Sequence, residues 1–283
     1  MTLISMAPGQ GAQRKGMGST LFDAFPRLVE EADSLLGYSI RQLCEDDPDQ
    51  RLADTTYTQP ALYTVNALSY YAQLEKSGRP PDFAIGHSLG EYNALLIAEA
   101  FSFAEGLKLV KKRGELMGRL KDGGMLAVIG PAVNEIRWAL DQAGIQTIDT
   151  ANLNTPTQTI LSGPKTDLDR VAEVFNRDGV RTVPLNVSAA FHSRYMSQMK
   201  STFAAFIADV AFNPLMVPVI SNYTARPYRD AEIASNLVQQ LDHGVRWCES
   251  VQYLMKEESP VFEELGGQGI LTRMVDEIRK TPG

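Results

Sequence analysis

The sequence predicts an α/β protein of two lobes: a large one in which helices flank a mostly parallel sheet, and a smaller one inserted into it. Three observations predict this. Short apolar runs alternate with helix-spaced segments through the first 122 residues and again after residue 190, as in a sheet covered by helices on both faces. Between them the order becomes strand, helix, strand, strand, helix, strand. The third is FAIGHSLGEYNAL, residues 83–95, which sets a serine between two glycines where an apolar run meets a helical one.

Leu3 to Ala7 reads as a buried strand that enters the turn Pro8-Gly9-Gln10-Gly11-Ala12-Gln13. Residues 20–35 have helical spacing, with Leu21, Phe22, Phe25, Leu28 and Val29 on one side. A second helix covers 59–76 and stops at Ser77-Gly78-Arg79-Pro80-Pro81, a strong breaker. Phe83 to Ile85 form a strand, Tyr92 to Ala98 an apolar helix, and 103–119 a further helix. The pattern changes at Lys121-Asp122-Gly123-Gly124. Strands are expected at Met125 to Ile129, Thr147 to Ala151, Gln158 to Leu161 and Arg181 to Val187, with helices at Val133 to Gln142 and Lys165 to Arg177. That βαββαβ order is the split arrangement of ferredoxin-like modules. The chain then returns to a helix (Arg194 to Val210), a strand (Val217 to Ser221), helices at Asp230 to Leu241 and Val245 to Met255, a strand (Val261 to Glu264) and a last helix from Ile270. Two lobes leave a cleft between them, a usual place for a ligand.

With 283 residues, 44% hydrophobic and 22% charged, the chain has the composition of a globular protein. A net charge of −7 argues against a general nucleic-acid binder, which needs a basic surface. An acidic partner can still dock on a local basic patch. Cys44 and Cys248 are isolated and offer neither a disulfide framework nor a metal-ligand spacing. They are read as free thiols of a reducing cytoplasm. The apolar start is too short for a signal peptide, and no run reaches the ~18 apolar residues of a membrane span.

The pentapeptide Gly86-His87-Ser88-Leu89-Gly90 has the G-x-S-x-G form of a nucleophile elbow, a sharp turn that exposes the serine hydroxyl. An ordinary turn with a helix N-cap is the other reading. A serine nucleophile needs a base, most often histidine. Of the three histidines, His87 adjoins Ser88, and neighbouring side chains in an elbow point apart. His243 falls in a surface turn, whereas His192 lies where the small lobe hands back to the large one, facing the cleft. A hydrolase triad would also need an acid, for which the candidates are too many to choose from.

Five segments occur in order: Pro8-Gly9-Gln10-Gly11, Gly86-His87-Ser88-Leu89-Gly90-Glu91-Tyr92, Lys112-Arg113-Gly114, Ala190-Phe191-His192-Ser193 and Val245-Arg246-Trp247. Together they resemble the malonyl-CoA:acyl carrier protein transacylase family, which includes fatty-acid-synthesis enzymes and the acyltransferases of polyketide synthases. The resemblance covers nearly the whole chain. Ala7 stands where the family usually has Phe, and Gly244 where it usually has Pro. The resemblance implies an α/β-hydrolase-like large lobe of residues 1–122 and 190–283 and a ferredoxin-like lobe of 123–189. It also implies transfer of malonyl from malonyl-CoA to the phosphopantetheine thiol of an acyl carrier protein through a malonyl-Ser88 ester, with His192 as base.

The same resemblance assigns the oxyanion hole to the backbone N–H groups of Gln10 and Leu89, and the orientation of His192 to the carbonyl of Gln240. Arg113 would hold the malonyl carboxylate through two parallel hydrogen bonds; as one cation of Lys111-Lys112-Arg113 it could equally be solvated. Phe191 would narrow the pocket and favour malonyl over methylmalonyl. Asn152 would line the small-lobe side of the cleft, unless it only satisfies its own turn. No metal and no tightly bound cofactor is expected, and the enzyme is expected to be a cytoplasmic monomer. With no ketosynthase or carrier segment attached, the chain is expected to act in trans. The Ala-Phe-His, Val-Arg-Trp and Lys-Lys-Arg-Gly variants look more like free-standing polyketide acyltransferases than the fatty-acid enzyme. The other reading within the fold is an acyl-thioester hydrolase, which has no need of a buried cation.

Overall fold

Strand β1 (Thr2–Ala7) is buried on both faces and sits inside a four-stranded parallel sheet. The computed structural model describes residues 1–177, 179–267 and 269–281. After β1 come α1 (Pro26–Leu36), α2 (Ile40–Asp46) and α3 (Thr55–Ser77), then β2 (Phe83–Gly86), α4 (Gly90–Ile97) and α5 (Phe103–Gly118). Next are β3 (Gly124–Ile129), α6 (Val133–Gln142), β4 (Asp149–Thr155), β5 (Gln158–Gly163), α7 (Lys165–Arg177) and β6 (Arg181–Pro184). The chain ends with α8 (Ser197–Ile207), β7 (Val219–Ile220), α9 (Ile233–Gln240), α10 (Trp247–Leu254), β8 (Pro260–Glu264) and α11 (Ile270–Lys280).

The parallel sheet has the order β7-β2-β1-β8, with Ile4 opposite Phe83 and Leu3 opposite Val261. Ile4, Met6 and Ile85 turn to one face and pack with Trp247, Val251 and Leu271 of α10 and α11. Ala7 and Ala84 turn to the other, against the core built by α3, α4 and α5. Burial on both sides explains why these strands read as continuous apolar runs rather than alternating ones. The second sheet is antiparallel with order β4-β5-β3-β6 and has its own core of Leu126, Val128, Ile136, Leu161 and Phe175. This is the strand order of the split βαβ arrangement.

Several elements differ from their expected bounds for local reasons. Residues 15–24 form turns, and the helix expected over 20–35 starts at Pro26, which has no N–H to lose in a first turn. Helix α2 went unread because seven residues show too little periodicity; the Ser39 hydroxyl caps it by accepting from the Gln42 N–H at 3.2 Å. The strand expected at 147–151 is displaced to Asp149–Thr155, because Asn152 and Asn154 face the gap between the sheets rather than a core. The strand expected at 181–187 ends at Pro184, and that at 217–221 shrinks to Val219–Ile220. The helices expected from Arg194 and Asp230 each begin with a 3-10 turn, Arg194–Met196 and Asp230–Glu232. The one expected from Val245 begins at Trp247, because Val245 instead pairs with β4.

That pairing joins the two sheets. The Val245 N–H donates to the Ala151 carbonyl at 2.8 Å and the Leu153 N–H to the Val245 carbonyl at 2.9 Å. Asp149 accepts from the backbone N–H and Nε of Arg194 at 2.8 and 3.0 Å, and the Thr155 and Thr157 hydroxyls donate to Glu277. The result is a tight seam with β4 on one side and Val245, α10 and α11 on the other.

Candidate active site

The turn from β2 to α4 carries Ser88 at φ 52°, in the left-handed region a serine adopts only under strain. Its flanking glycines answer to crowding. A Cβ on Gly86 would lie 1.9 Å from the Gly90 carbonyl, and one on Gly90 would lie 1.9 Å from the Ala7 carbonyl oxygen. Asn222 pins the turn from outside: its Oδ1 accepts the Ser88 N–H at 2.7 Å and its Nδ2 donates to the Gly86 carbonyl at 2.6 Å.

Ser88 Oγ lies 2.7 Å from His192 Nε2, and His192 Nδ1 lies 2.9 Å from the Gln240 carbonyl oxygen. A carbonyl only accepts, so Nδ1 carries the proton and Nε2 offers its lone pair to the Ser88 hydroxyl. His192 is itself at φ 55°, between β6 and α8, and almost wholly buried. Burial first, and the charge of Arg113 second, push its pKa down to about 3. The imidazole is therefore neutral at working pH, with the Nε2 lone pair free to take the Ser88 proton.

His87 points away from Ser88. Its Nε2 meets Asn154 Oδ1 at 2.9 Å and its ring packs on Trp247. His243 is partly exposed and pairs with Asp242.

The Lys111-Lys112-Arg113 run divides by helical position. Lys111 donates to the Leu35 carbonyl and Lys112 lies over Phe206, while Arg113 is fully buried. Arg113 Nη2 donates to Ser88 Oγ at 3.1 Å and to Gln240 Oε1 at 3.0 Å. Its Nε has no acceptor, its guanidinium lies over the Tyr92 ring, and no carboxylate lies within ion-pair distance of it among the described residues. A buried cation with spare donors is poised to receive an anion.

Leu89 caps α4, and its N–H, like that of Gln10, donates to no protein acceptor among the described residues. The two backbones are adjacent: a Cβ on Gly9 would lie 3.5 Å from the Leu89 nitrogen and 2.3 Å from the His87 carbonyl oxygen. Gly11, at φ 108°, supplies the unusual backbone of that loop.

Gln10 and His87 open onto a cavity of about 400 Å³ along the seam, lined on its other side by Asn152, Asn154, Gln158 and Arg181. Asn152 Oδ1 is buried there without a partner. A second cavity of about 750 Å³, lined by Asp149, Arg194 and Asp242, reaches His192. Phe191 is buried in the main core and lines neither cavity. Among the described residues no group of three His, Cys, Asp or Glu side chains could hold a metal ion.

Sequence reasoning did not single out Asn222, Glu91, Tyr228 or the side chain of Gln240. The one signal available was Glu91 itself, an acid opening the otherwise apolar helix GEYNALLI, and an acid in a first turn is usually explained by the helix dipole.

The family model described as an acyl transferase domain matches residues 6–280. The polyketide biosynthesis malonyl CoA-acyl carrier protein transacylase BaeC of Bacillus velezensis is 49% identical over 96% of this chain and 95% of its own length. The polyketide biosynthesis protein PksE of Bacillus subtilis is 48% identical over 96% of this chain, which spans only 36% of that longer relative. The crystal structure of malonyl CoA-acyl carrier protein transacylase from Burkholderia pseudomallei superposes with a TM-score of 0.97, at 48% identity over all of both chains.

Proposed function

The chain belongs to the acyl transferase domain family, and on that premise we propose that it transfers malonyl from malonyl-CoA to the phosphopantetheine thiol of an acyl carrier protein in polyketide biosynthesis. One observation carries the reading: a Ser88–His192 pair at 2.7 Å with the buried guanidinium of Arg113 at 3.1 Å from the same hydroxyl. A hydrolase of neutral acyl groups would have no use for that cation.

In the proposed reaction Ser88 Oγ attacks the thioester carbonyl as its proton passes to His192 Nε2. The oxyanion is received by the Leu89 and Gln10 N–H groups. Collapse expels the CoA thiolate, which takes the proton from His192, and leaves a malonyl-Ser88 ester. The pantetheine thiol then gives its proton to His192 and attacks the ester, and Ser88 Oγ leaves with that proton. Arg113 holds the malonyl carboxylate throughout, exchanging its bond to the free hydroxyl for the substrate. The Gln240 carbonyl keeps the imidazole in the required tautomer; being neutral, it stabilises imidazolium less than a carboxylate would.

The cavity beside Gln10 is the proposed route of the pantetheine arm, whose amides suit the Asn152 and Gln158 side chains. Phe191, next to the base, is proposed to limit the space at the malonyl α-carbon. Residues 1–122 and 190–283 form the proposed catalytic lobe, and 123–189 the small one. The proposal includes a transient carrier-protein partner, a monomeric enzyme, no tightly held cofactor and a cytoplasmic location. Two free, buried cysteines suit a reducing compartment, and no helix among the described residues is long and apolar enough to cross a membrane.

The test is intact-protein mass after exposure to malonyl-CoA, with and without a phosphopantetheinylated carrier protein. A malonyl adduct that is absent in Ser88→Ala and discharged onto the carrier is expected. Free malonate formed equally fast without carrier would replace transfer by hydrolysis.

A further inference from the structure

Behind the dyad lies a carboxyl group that the mechanism above does not use. Glu91, from the first turn of α4, is fully buried and meets three donors. Its Oε1 accepts from the Asn222 N–H at 2.8 Å and the Tyr228 hydroxyl at 2.6 Å, and its Oε2 accepts from Gln240 Nε2. The same Gln240 Nε2 donates to the Ser88 carbonyl at 2.8 Å, while Gln240 Oε1 accepts from Arg113 Nη2 at 3.0 Å. The amide has one way round that satisfies all of them. Two acceptors, the Glu91 carboxylate and the Ser88 carbonyl, demand the NH₂ end and leave the oxygen for Arg113.

We propose that Glu91, as a carboxylate, is a positioning residue for substrate choice: it locks the Gln240 amide so that Arg113 is held beside Ser88, where the acyl chain's free carboxylate must bind. The inference rests on the malonyl-transfer reading and extends it to a residue that touches no substrate. The lock has a definite polarity. Glu91→Gln keeps size and shape but places an NH₂ group either against the Gln240 NH₂ or against the Asn222 N–H. Relief requires Gln240 to turn over, which sets its NH₂ against the guanidinium.

The carboxyl is also poised to change state. Burial raises its pKa to about 7 against the lowering pull of its three donors and of Arg113. The other ionisable groups facing it are Tyr92, Tyr228 and Arg113. Burial raises both tyrosines and leaves them neutral, and although it lowers Arg113 the guanidinium stays charged. A transition near neutrality in this cluster therefore belongs to Glu91.

The test compares Ser88 acylation rates from malonyl-CoA and from acetyl-CoA, which lacks the carboxylate, in wild type, Glu91→Gln, Gln240→Leu and the double variant. The malonyl-to-acetyl ratio should fall about ten-fold or more in each single variant, the worth of one charge-assisted contact, and no further in the double. In wild type the ratio should also fall as the pH drops below about 7. Should Glu91→Gln not fold, Tyr228→Phe removes a donor from the carboxylate without touching Gln240 and should shift that fall to higher pH. An unchanged ratio, both rates falling together, multiplying factors in the double variant, or a Tyr228→Phe profile that does not move would each overturn the proposal. A wild type that forms no malonyl adduct would instead overturn the transfer reading itself, and this inference with it.

Discussion

Arg113 Nη2 stands 3.1 Å from Ser88 Oγ, although Arg113 lies within α5 and Ser88 in the turn before α4. A serine hydroxyl and a desolvated cation thus lie side by side. In the proposed reading the acyl group carries its own negative charge, which offsets the cost of burying a guanidinium without a direct counter-ion.

Arg113→Ala should lower Ser88 acylation by malonyl-CoA about 10- to 100-fold, the loss of a charge-assisted pair. Acetyl-CoA loading should fall far less, so the malonyl-to-acetyl ratio is the measurement. An unchanged ratio would remove Arg113 from carboxylate recognition.

Phe191→Ser should admit methylmalonyl-CoA better, because one methyl group of space is typically worth ~1–3 kcal/mol of discrimination. Competition between malonyl- and methylmalonyl-CoA, read by adduct mass, checks it. Since Phe191 is buried in the core, some loss of melting temperature should accompany the gain.

Stability should depend on pH through His192 with a definite sign. Its folded pKa, about 3, lies below the ordinary imidazole value. The native state therefore holds it neutral while the unfolded chain binds a proton. This contribution is complete above about pH 6.5 and is lost as the pH falls towards 3. Glu91 runs the other way: raised to about 7, it adds stability below its ordinary carboxyl value, which is lost as the pH rises through 7. The difference in melting temperature between His192→Gln and wild type should accordingly move in the variant's favour between about pH 7.5 and pH 5. A constant difference would contradict the buried neutral imidazole.

Asn222→Ala should loosen the elbow. It removes both bonds that hold the Ser88 N–H and the Gly86 carbonyl, at roughly 1–3 kcal/mol for each buried group left unpaired. Thermal melting should register the loss, and the rate of adduct formation should fall at saturating malonyl-CoA. A full rate with a lowered melting temperature would confine Asn222 to a structural part.

The alternation of strands and helices was legible in the sequence because buried parallel strands are apolar throughout and helices such as α1, α10 and α11 are amphipathic, both local properties. The βαββαβ order of the small lobe was readable for the same reason, and its antiparallel sheet has that connectivity. The elbow was legible as a motif, although Gly90 proves to be required by its closeness to the Ala7 carbonyl, a contact that a pentapeptide cannot display. The elbow motif singled out Ser88 and its place between the lobes singled out His192, whereas Arg113 stood out only by the family resemblance, since periodicity alone left it in a run of cations.

What the tertiary structure alone decided is the wiring behind those residues. Gln240 reaches Glu91 across 149 positions and Ser88 across 152, and Asn222 reaches Ser88 across 134. Hydrogen bonds of this kind leave no period and no spacing in a chain. They exist only because β7, α9 and the elbow converge at one end of the parallel sheet. Local propensity can write an element and a motif can mark a nucleophile, but the direction in which a buried amide points depends on every group that folding brings around it.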